Sequence, residues 1–193
     1  GTGIYLTFRV LFIQIRLLPY SLKLAFSKQD KTSEGDISPF QALMTALAAT
    51  VGTGNIVGVA SAVIAGGPGA VFWMWFAAFF GMATKYAEAV LAVKYRVKNE
   101  KGEMSGGPMY YLEHGLKQKW LGVLFAIFGA TAAFGIGNLV QSNSISGVMN
   151  STFQIPTWIT GIIITAFTAL VILGGIKSIG RVTAIFVPVM ALF

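Results

Sequence analysis

The chain of 193 residues has no cysteine, a single histidine and seven acidic residues against fourteen basic ones. The first absence excludes disulfides, zinc-thiolate sites and thiol nucleophiles. The histidine, His114, stands in a polar stretch without partners suited to a metal site. The shortage of carboxylates says more. Asp30, Glu34, Asp36, Glu100, Glu103 and Glu113 all fall in polar connecting segments, and Glu88 lies toward one end of an apolar run. A proton relay through a bilayer needs an ionisable group at mid-depth, and these residues offer none. A cation held in the apolar part must therefore meet neutral oxygens: backbone carbonyls, hydroxyls and carboxamides. Such hard donors suit sodium, while the missing charge disfavours tight divalent binding.

What is present is apolar surface. Hydrophobic residues make up 55% of the chain, charged ones 11%, and the mean hydropathy is +0.71. A soluble domain carries about 25% charged residues, so this is a membrane protein. Runs long enough to cross a bilayer cover approximately 38–65, 70–93, 120–148, 158–173 and 182–193. The end of an earlier helix, near Ile13, and a basic amphipathic stretch from Gln14 to Phe26 precede them. Gly66-Gly67-Pro68-Gly69 separates two spans, Gly106-Gly107-Pro108 opens a short interfacial helix from Met109 to Gly115, and Gly174-Gly175 ends the span at 158–173. The expected fold is an all-α polytopic membrane protein, one transmembrane domain over 1–193. It starts at Gly1 without a methionine and stops inside a span at Phe193, as a piece of a longer protein would.

Charge placement predicts orientation. Arg9, Arg16, Lys23, Lys28 and Lys31 precede the first full span; Lys94, Arg96, Lys98, Lys101, Lys117 and Lys119 follow the second; Lys177 and Arg181 lie between the last two. The alternate connections, Gly66 to Gly69 and Asn150 to Pro156, carry no charge. The positive-inside rule places the basic loops in the cytoplasm of a multi-pass protein in the cell membrane. The net charge of +7 is then topology plus attraction to anionic lipid heads, with no nucleic-acid partner implied. Lys85 and Glu88, three residues apart on one helical face, are read as a structural pair.

One span is interrupted. Pro39 to Ala49 and Ile56 to Ala65 are both apolar, and between them runs Thr50-Val51-Gly52-Thr53-Gly54-Asn55. Backbone without helical hydrogen bonds survives in a bilayer only where it lines a cavity inside protein. Such a break presents free carbonyls on one side and free N–H groups on the other, a site for a cation and an anion together. Gly52 and Gly54 are read as letting the backbone leave helical dihedrals and a ligand approach closely. The N–H groups of Thr53, Gly54 and Asn55 are expected to face an anion. The carbonyls of Ala48 to Val51, the Asn55 oxygen and the Thr50 and Thr53 hydroxyls are expected to face a cation. The bland alternative is close helix packing at a small-xxx-small pair, Gly54 and Gly58, and that reading is preferred for Gly58.

A second wall is expected in the span at 120–148. Asn138 and Gln141 are three apart, and Phe134 stands one turn from Asn138, so the three share a face; Asn143 follows. Amides in a membrane helix face protein or a cavity, so interhelical hydrogen bonding and ligand contact both remain open. Trp73, Trp75, Trp120 and Trp158 read as interfacial belt or packing. GTGNIVG has its third glycine one residue late for a dinucleotide fingerprint and lacks the βαβ setting. Asn150-Ser151-Thr152 is a formal glycosylation sequon.

The run Thr50 to Gly58, then Gly66-Gly67-Pro68-Gly69-Ala70-Val71-Phe72-Trp73-Met74-Trp75 and on to Gly81, resembles the alanine/glycine:cation symporters, the sodium:alanine symporter family of bacteria and archaea. FIQIRLLPY and GEMSGGPMYYLE extend the likeness over essentially the whole chain. The resemblance implies a monomeric carrier importing alanine or glycine with sodium as coupling ion, no enzyme cofactor and no catalysis. It also implies the inverted-repeat fold of the neurotransmitter:sodium symporters, this chain being its first half with a broken first core helix. By position, Gly52, Thr53 and Gly54 would hold the substrate carboxylate, with Phe134, Asn138 and Gln141 nearby. The Thr50 carbonyl and Asn55 would meet one sodium ion, and the Ala48 and Val51 carbonyls a second. That fold places a hydroxyl-bearing aromatic on its third core helix, where this chain has Phe134 and Gln141. A proton-coupled or passive small-solute transporter or channel and a helix-packing scaffold are the competing readings.

Overall fold

Helices follow the apolar runs, and their ends are set by capping side chains, by glycines, by one 3-10 turn and by two π turns. The computed structural model describes residues 1–27, 35–100 and 102–192, without the side chains of Ile136 and Asn138. Lys28, Asp30, Lys31, Glu34 and Lys101 thus lie outside the described residues. In chain order the elements are α1 (Thr2–Arg9), α2 (Ile13–Arg16), α3 (Leu18–Ala25), α4 (Pro39–Thr50), a 3-10 turn (Thr53–Asn55), α5 (Val57–Gly66) and α6 (Gly69–Lys94). A hairpin of β1 (Val97–Lys98) and β2 (Met104–Ser105) precedes α7 (Pro108–Tyr110) and a π turn (Tyr111–Gly115). Then come α8 (Lys119–Ala132), a second π turn (Ala133–Gly137), α9 (Asn138–Phe153), α10 (Thr157–Leu173) and α11 (Gly175–Leu192).

Among the described residues three helical stretches are long and apolar enough to cross a membrane: Gly69–Lys94, Lys119–Phe153 and Gly175–Leu192. Pro39–Thr50 and Thr53–Gly66 are long and apolar enough only when taken together, as one broken span or a re-entrant loop, and α10 is a shorter apolar helix of 17 residues. The chain forms two compact units, Gly1–Ala25 with Val59–Gly129 and Phe26–Gly58 with Ala130–Phe193.

In the first unit α1 packs on α6 through Gly3. A Cβ built there would stand 2.7 Å from the Phe80 carbonyl oxygen. Thr7, fully buried, donates to the Gly3 carbonyl (2.8 Å) and accepts from Gln14 Nε2 (3.2 Å), which ties α2 back to α1. Helix α1 stops at Arg9 rather than near Ile13, because Leu11 and Phe12 take left-handed backbone (φ 53° and 52°) and turn the chain. Lys85 and Glu88 pair at 2.9 Å as expected from their spacing. The hairpin departs from an all-helical expectation. Val97 faces Ser105 and Lys98 faces Met104, and the turn is closed by Asn99 N–H to the Glu103 carbonyl and Glu103 N–H to Asn99 Oδ1, both 2.9 Å.

In the second unit α4 begins at a capping box. Gln41 N–H donates to Ser38 Oγ (3.2 Å), Ser38 N–H donates to Gln41 Oε1 (3.0 Å), and Pro39 occupies the first turn, where its missing N–H costs nothing. Helix α4 lies against α11: Gly180 faces Ile37 and Gln41, and the Thr45 and Thr183 hydroxyls are 3.1 Å apart. Helix α9 runs to Phe153, past the expected end near Val148, and Gln154 (φ 55°) closes it with a bond to the Asn150 carbonyl. The sequon residue Asn150 donates its own amide to the Ile155 carbonyl (3.1 Å).

The last connection differs from expectation. A polar segment was expected up to Arg181 with a span from Val182; instead α11 starts at Gly175, and Lys177 and Arg181 ride on its first two turns. Gly174 alone separates α10 from α11, and left-handed Gly175 (φ 67°) makes the reversal. Long basic side chains keep their heads in the interface while the helix below them continues, so charge did not mark a loop here.

Candidate functional site

Between α4 and α5 the backbone leaves the helical ladder. Val51 N–H donates to the Leu47 carbonyl at 2.7 Å, and the ladder then stops. The carbonyls of Ala48, Ala49 and Thr50 are thereby left at the C-terminal end of α4, beyond the reach of the ladder. Val51 (φ −83°, ψ 118°) and Gly52 (φ −166°, ψ −170°) are extended. One 3-10 turn follows, in which Asn55 N–H donates to the Gly52 carbonyl (3.0 Å) and Ile56 N–H to the Thr53 carbonyl (3.1 Å). The Thr50 hydroxyl donates back to the Ala46 carbonyl (3.0 Å), keeping only its acceptor lone pairs for anything else.

From across the unit, Gln141 of α9 reaches the break. Its Oε1 accepts from Thr53 N–H at 3.3 Å, and its Nε2 lies 2.6 Å from where a Cβ on Gly52 would stand. This corrects two expectations. Extended backbone like that of Gly52 is open to any residue, so what a side chain there would disturb is the close-lying carboxamide, which would have to shift, and not the backbone dihedrals. Nor do the three amides of the turn all face outward: Thr53 N–H serves Gln141, Asn55 N–H serves Gly52, and among the described residues only Gly54 N–H is left over.

Phe134 departs from the expected face. It lies in the π turn Ala133–Gly137, is 82% exposed, and is not brought to the break. A π turn closes i to i+5 and inserts one residue into the helical count, so the register that set Phe134 below Asn138 is shifted. The side chain of Asn138 lies outside the described residues. The structure thus brings Gly52, Thr53 and Gln141 together, keeps Ala48, Thr50, Val51, Gly54 and Asn55 on the same stretch of chain, and separates Phe134. The packing role preferred for Gly58 is not seen either. A Cβ at Gly54 or Gly58 would meet nothing within 4 Å among the described residues.

Beside Gln141 an open groove of about 650 Å³ runs between α9 and α10, with Gln141, Ser142, Thr165 and Thr168 among its lining residues. A smaller cleft of about 340 Å³ is lined by Thr53, Ile56 and Val57 and by α9 from Ser144 to Met149; Ile145 borders both. None of the residues lining either space is ionisable. Thr165 and Thr168 went unnoticed in the sequence, although two hydroxyls at i and i+3 on an apolar helix were a readable signal.

The break thus combines free carbonyls at the end of α4, one amide at Gly54 left unbonded among the described residues and the Gln141 carboxamide, with no ionisable side chain lining the two spaces beside it. A sequence profile described as the sodium:alanine symporter family matches residues 1–193. The chain belongs to the sodium:alanine symporter family. Similar curated proteins include the sodium/alanine symporter AgcS of Methanococcus maripaludis, 67% identical over 100% of this chain and 44% of the relative. The probable sodium/glutamine symporter GlnT of Bacillus subtilis is 43% identical over 98% of this chain and 39% of its own length. The putative sodium/proton-dependent alanine carrier protein YrbD of Bacillus subtilis is 43% identical over 100% and 39%. The chain therefore spans less than half the length of the curated relatives it matches.

Proposed function

We propose that the protein is a sodium-coupled symporter that imports small neutral amino acids, alanine and glycine foremost, by alternating access. The observation that carries this reading is the interrupted span, which ends one half-helix in unladdered carbonyls from Ala48 to Thr50 and opens the next at Thr53, all without an ionisable side chain. Substrate carboxylate would lie against Gly52, Thr53 and Gly54, with Asn138 and Gln141 on the facing helix α9. The Thr50 carbonyl with Asn55 would hold one sodium ion, and the Ala48 and Val51 carbonyls a second. Each sodium places positive charge beside the carboxylate, so either ligand favours the other. The spans would form the first of two inverted repeats, in one transmembrane domain, with the basic connections in the cytoplasm. Alanine leads because the relative at 67% identity carries it in its name.

Uptake of radiolabelled alanine by the full chain in proteoliposomes tests the reading. Uptake is expected to require sodium, and to shift to a higher sodium half-saturation in Asn55→Ala. Uptake unchanged when potassium or choline replaces sodium would refute the coupling; an intact sodium activation curve in the variant would refute the site.

A further inference from the structure

Gln141 does more than line a wall. Its carboxamide is planar, with two heteroatoms on one carbon, the shape of a carboxylate without the charge. Oε1 takes the Thr53 N–H at 3.3 Å, and Nε2 lies against the backbone of Gly52. One N–H and one narrow space beside a glycine admit a single such group. We propose that Gln141 is an exchangeable stand-in for the amino acid carboxylate at the break, so that substrate enters only by displacing it; this rests on the symporter reading above.

Two physical consequences favour such a latch. An unpaired N–H at a half-buried break in an apolar span is costly, and the stand-in keeps that of Thr53 satisfied. A carboxylate also makes the stronger bond, since hydrogen bonds to ionised acceptors are about twice as strong as neutral ones. A neutral solute therefore gains nothing by replacing one uncharged acceptor with another, whereas an amino acid does. The displaced side chain has somewhere to go. Gln141 is only half-buried and borders the groove between α9 and α10, where Ser142, Thr165 and Thr168 supply hydroxyls.

The test uses the full chain in proteoliposomes, with alanine and sodium as probes and two variants. Gln141→Glu tethers a real carboxylate at the break. Its sodium half-saturation measured without alanine is expected to fall about tenfold, because the charge that substrate would bring is already there, while alanine uptake is lost. Gln141→Asn is one methylene too short to reach Thr53. Its alanine half-saturation is expected to fall about fivefold, the worth of one neutral hydrogen bond no longer competed for, with the sodium curve in the absence of alanine unchanged. A Gln141→Glu protein with sodium affinity no higher than wild type would overturn the latch. So would a rise of alanine half-saturation in Gln141→Asn, which would make Gln141 a substrate ligand; that variant decides alone if the glutamate fails to fold. These outcomes are read against a wild type with sodium-dependent uptake, and a wild type without it fails the symporter reading and the latch with it.

Discussion

Gly52→Ala separates two reasons for a glycine at the break. If the residue were needed for its backbone freedom, any side chain would be ruinous whatever faced it. The backbone at 52 is extended, however (φ −166°), and the obstacle is the Gln141 amide nitrogen, 2.6 Å from the new methyl group. Carbon and nitrogen rest in contact near 3.5 Å, so Gln141 must retreat by about 1 Å. The Thr53 N–H to Oε1 bond is already 3.3 Å long and does not survive that retreat. Losing it and leaving the N–H unpaired costs about 1–3 kcal/mol, offset by about 0.4–1 kcal/mol from the stiffer unfolded chain. The net expectation is a loss of about 1–2 kcal/mol in equilibrium unfolding of the purified full chain in mixed detergent micelles. In a Gln141→Ala background the same substitution meets no obstacle and becomes neutral or slightly stabilising, so the double-mutant cycle returns a coupling of about 2 kcal/mol. Additive effects, with Gly52→Ala equally damaging in both backgrounds, would refute the steric reasoning and return the glycine to a dihedral role.

How far the site was legible follows from which of its causes are local. The interruption at Gly52 to Asn55 could be read directly, since an apolar run broken by two glycines, two threonines and an asparagine has few explanations in a bilayer. The turn that follows could not, because Asn55 N–H bonding to the Gly52 carbonyl removes an amide that simple helix counting left exposed. Asn138 and Gln141 keep their expected spacing of three within α9; the π turn at Ala133–Gly137 shifts only the count that set Phe134 below them, and no side chain in that turn announces it. Of the two reasons for glycine at 52, dihedral freedom fails and close approach remains, but what approaches in the structure is a side chain 88 residues further along.

Charge misled at α11 for a related cause. Lys177 and Arg181 suggested a loop because membrane loops carry basic residues, but a helix that surfaces in the interface can carry the same residues on its first turns. Gly174 and Gly175 held the better information: a left-handed glycine needs no further residues to reverse the chain. The short strands at 97–98 and 104–105 lay inside a connection read for its charge and its family likeness, and neither reading reports strand pairing. Family membership, by contrast, was carried by long runs of residue identity, which do not depend on register, and it stands where the geometric details had to be corrected.

Two further substitutions probe the elements that hold each unit together. Ser38→Ala removes the acceptor for Gln41 N–H in the capping box of α4 and is expected to cost about 1 kcal/mol, with faster hydrogen exchange confined to the first turn of that helix; unchanged exchange there would show the cap to be idle. Gly3→Ala is the sharper case, because its methyl group would lie 2.7 Å from the Phe80 carbonyl oxygen, a backbone atom in the interior of α6 that cannot swing aside as a glutamine can. Helix α1 must lift by about 1 Å to restore contact distance, loosening the packing around buried Thr7, at a cost of about 1–3 kcal/mol. Gly58→Ala serves as the control, since a methyl group there meets nothing within 4 Å among the described residues. A fall in thermal midpoint for Gly3→Ala beside little change for Gly58→Ala is expected, and equal shifts in the two would refute the close approach of α1 to α6.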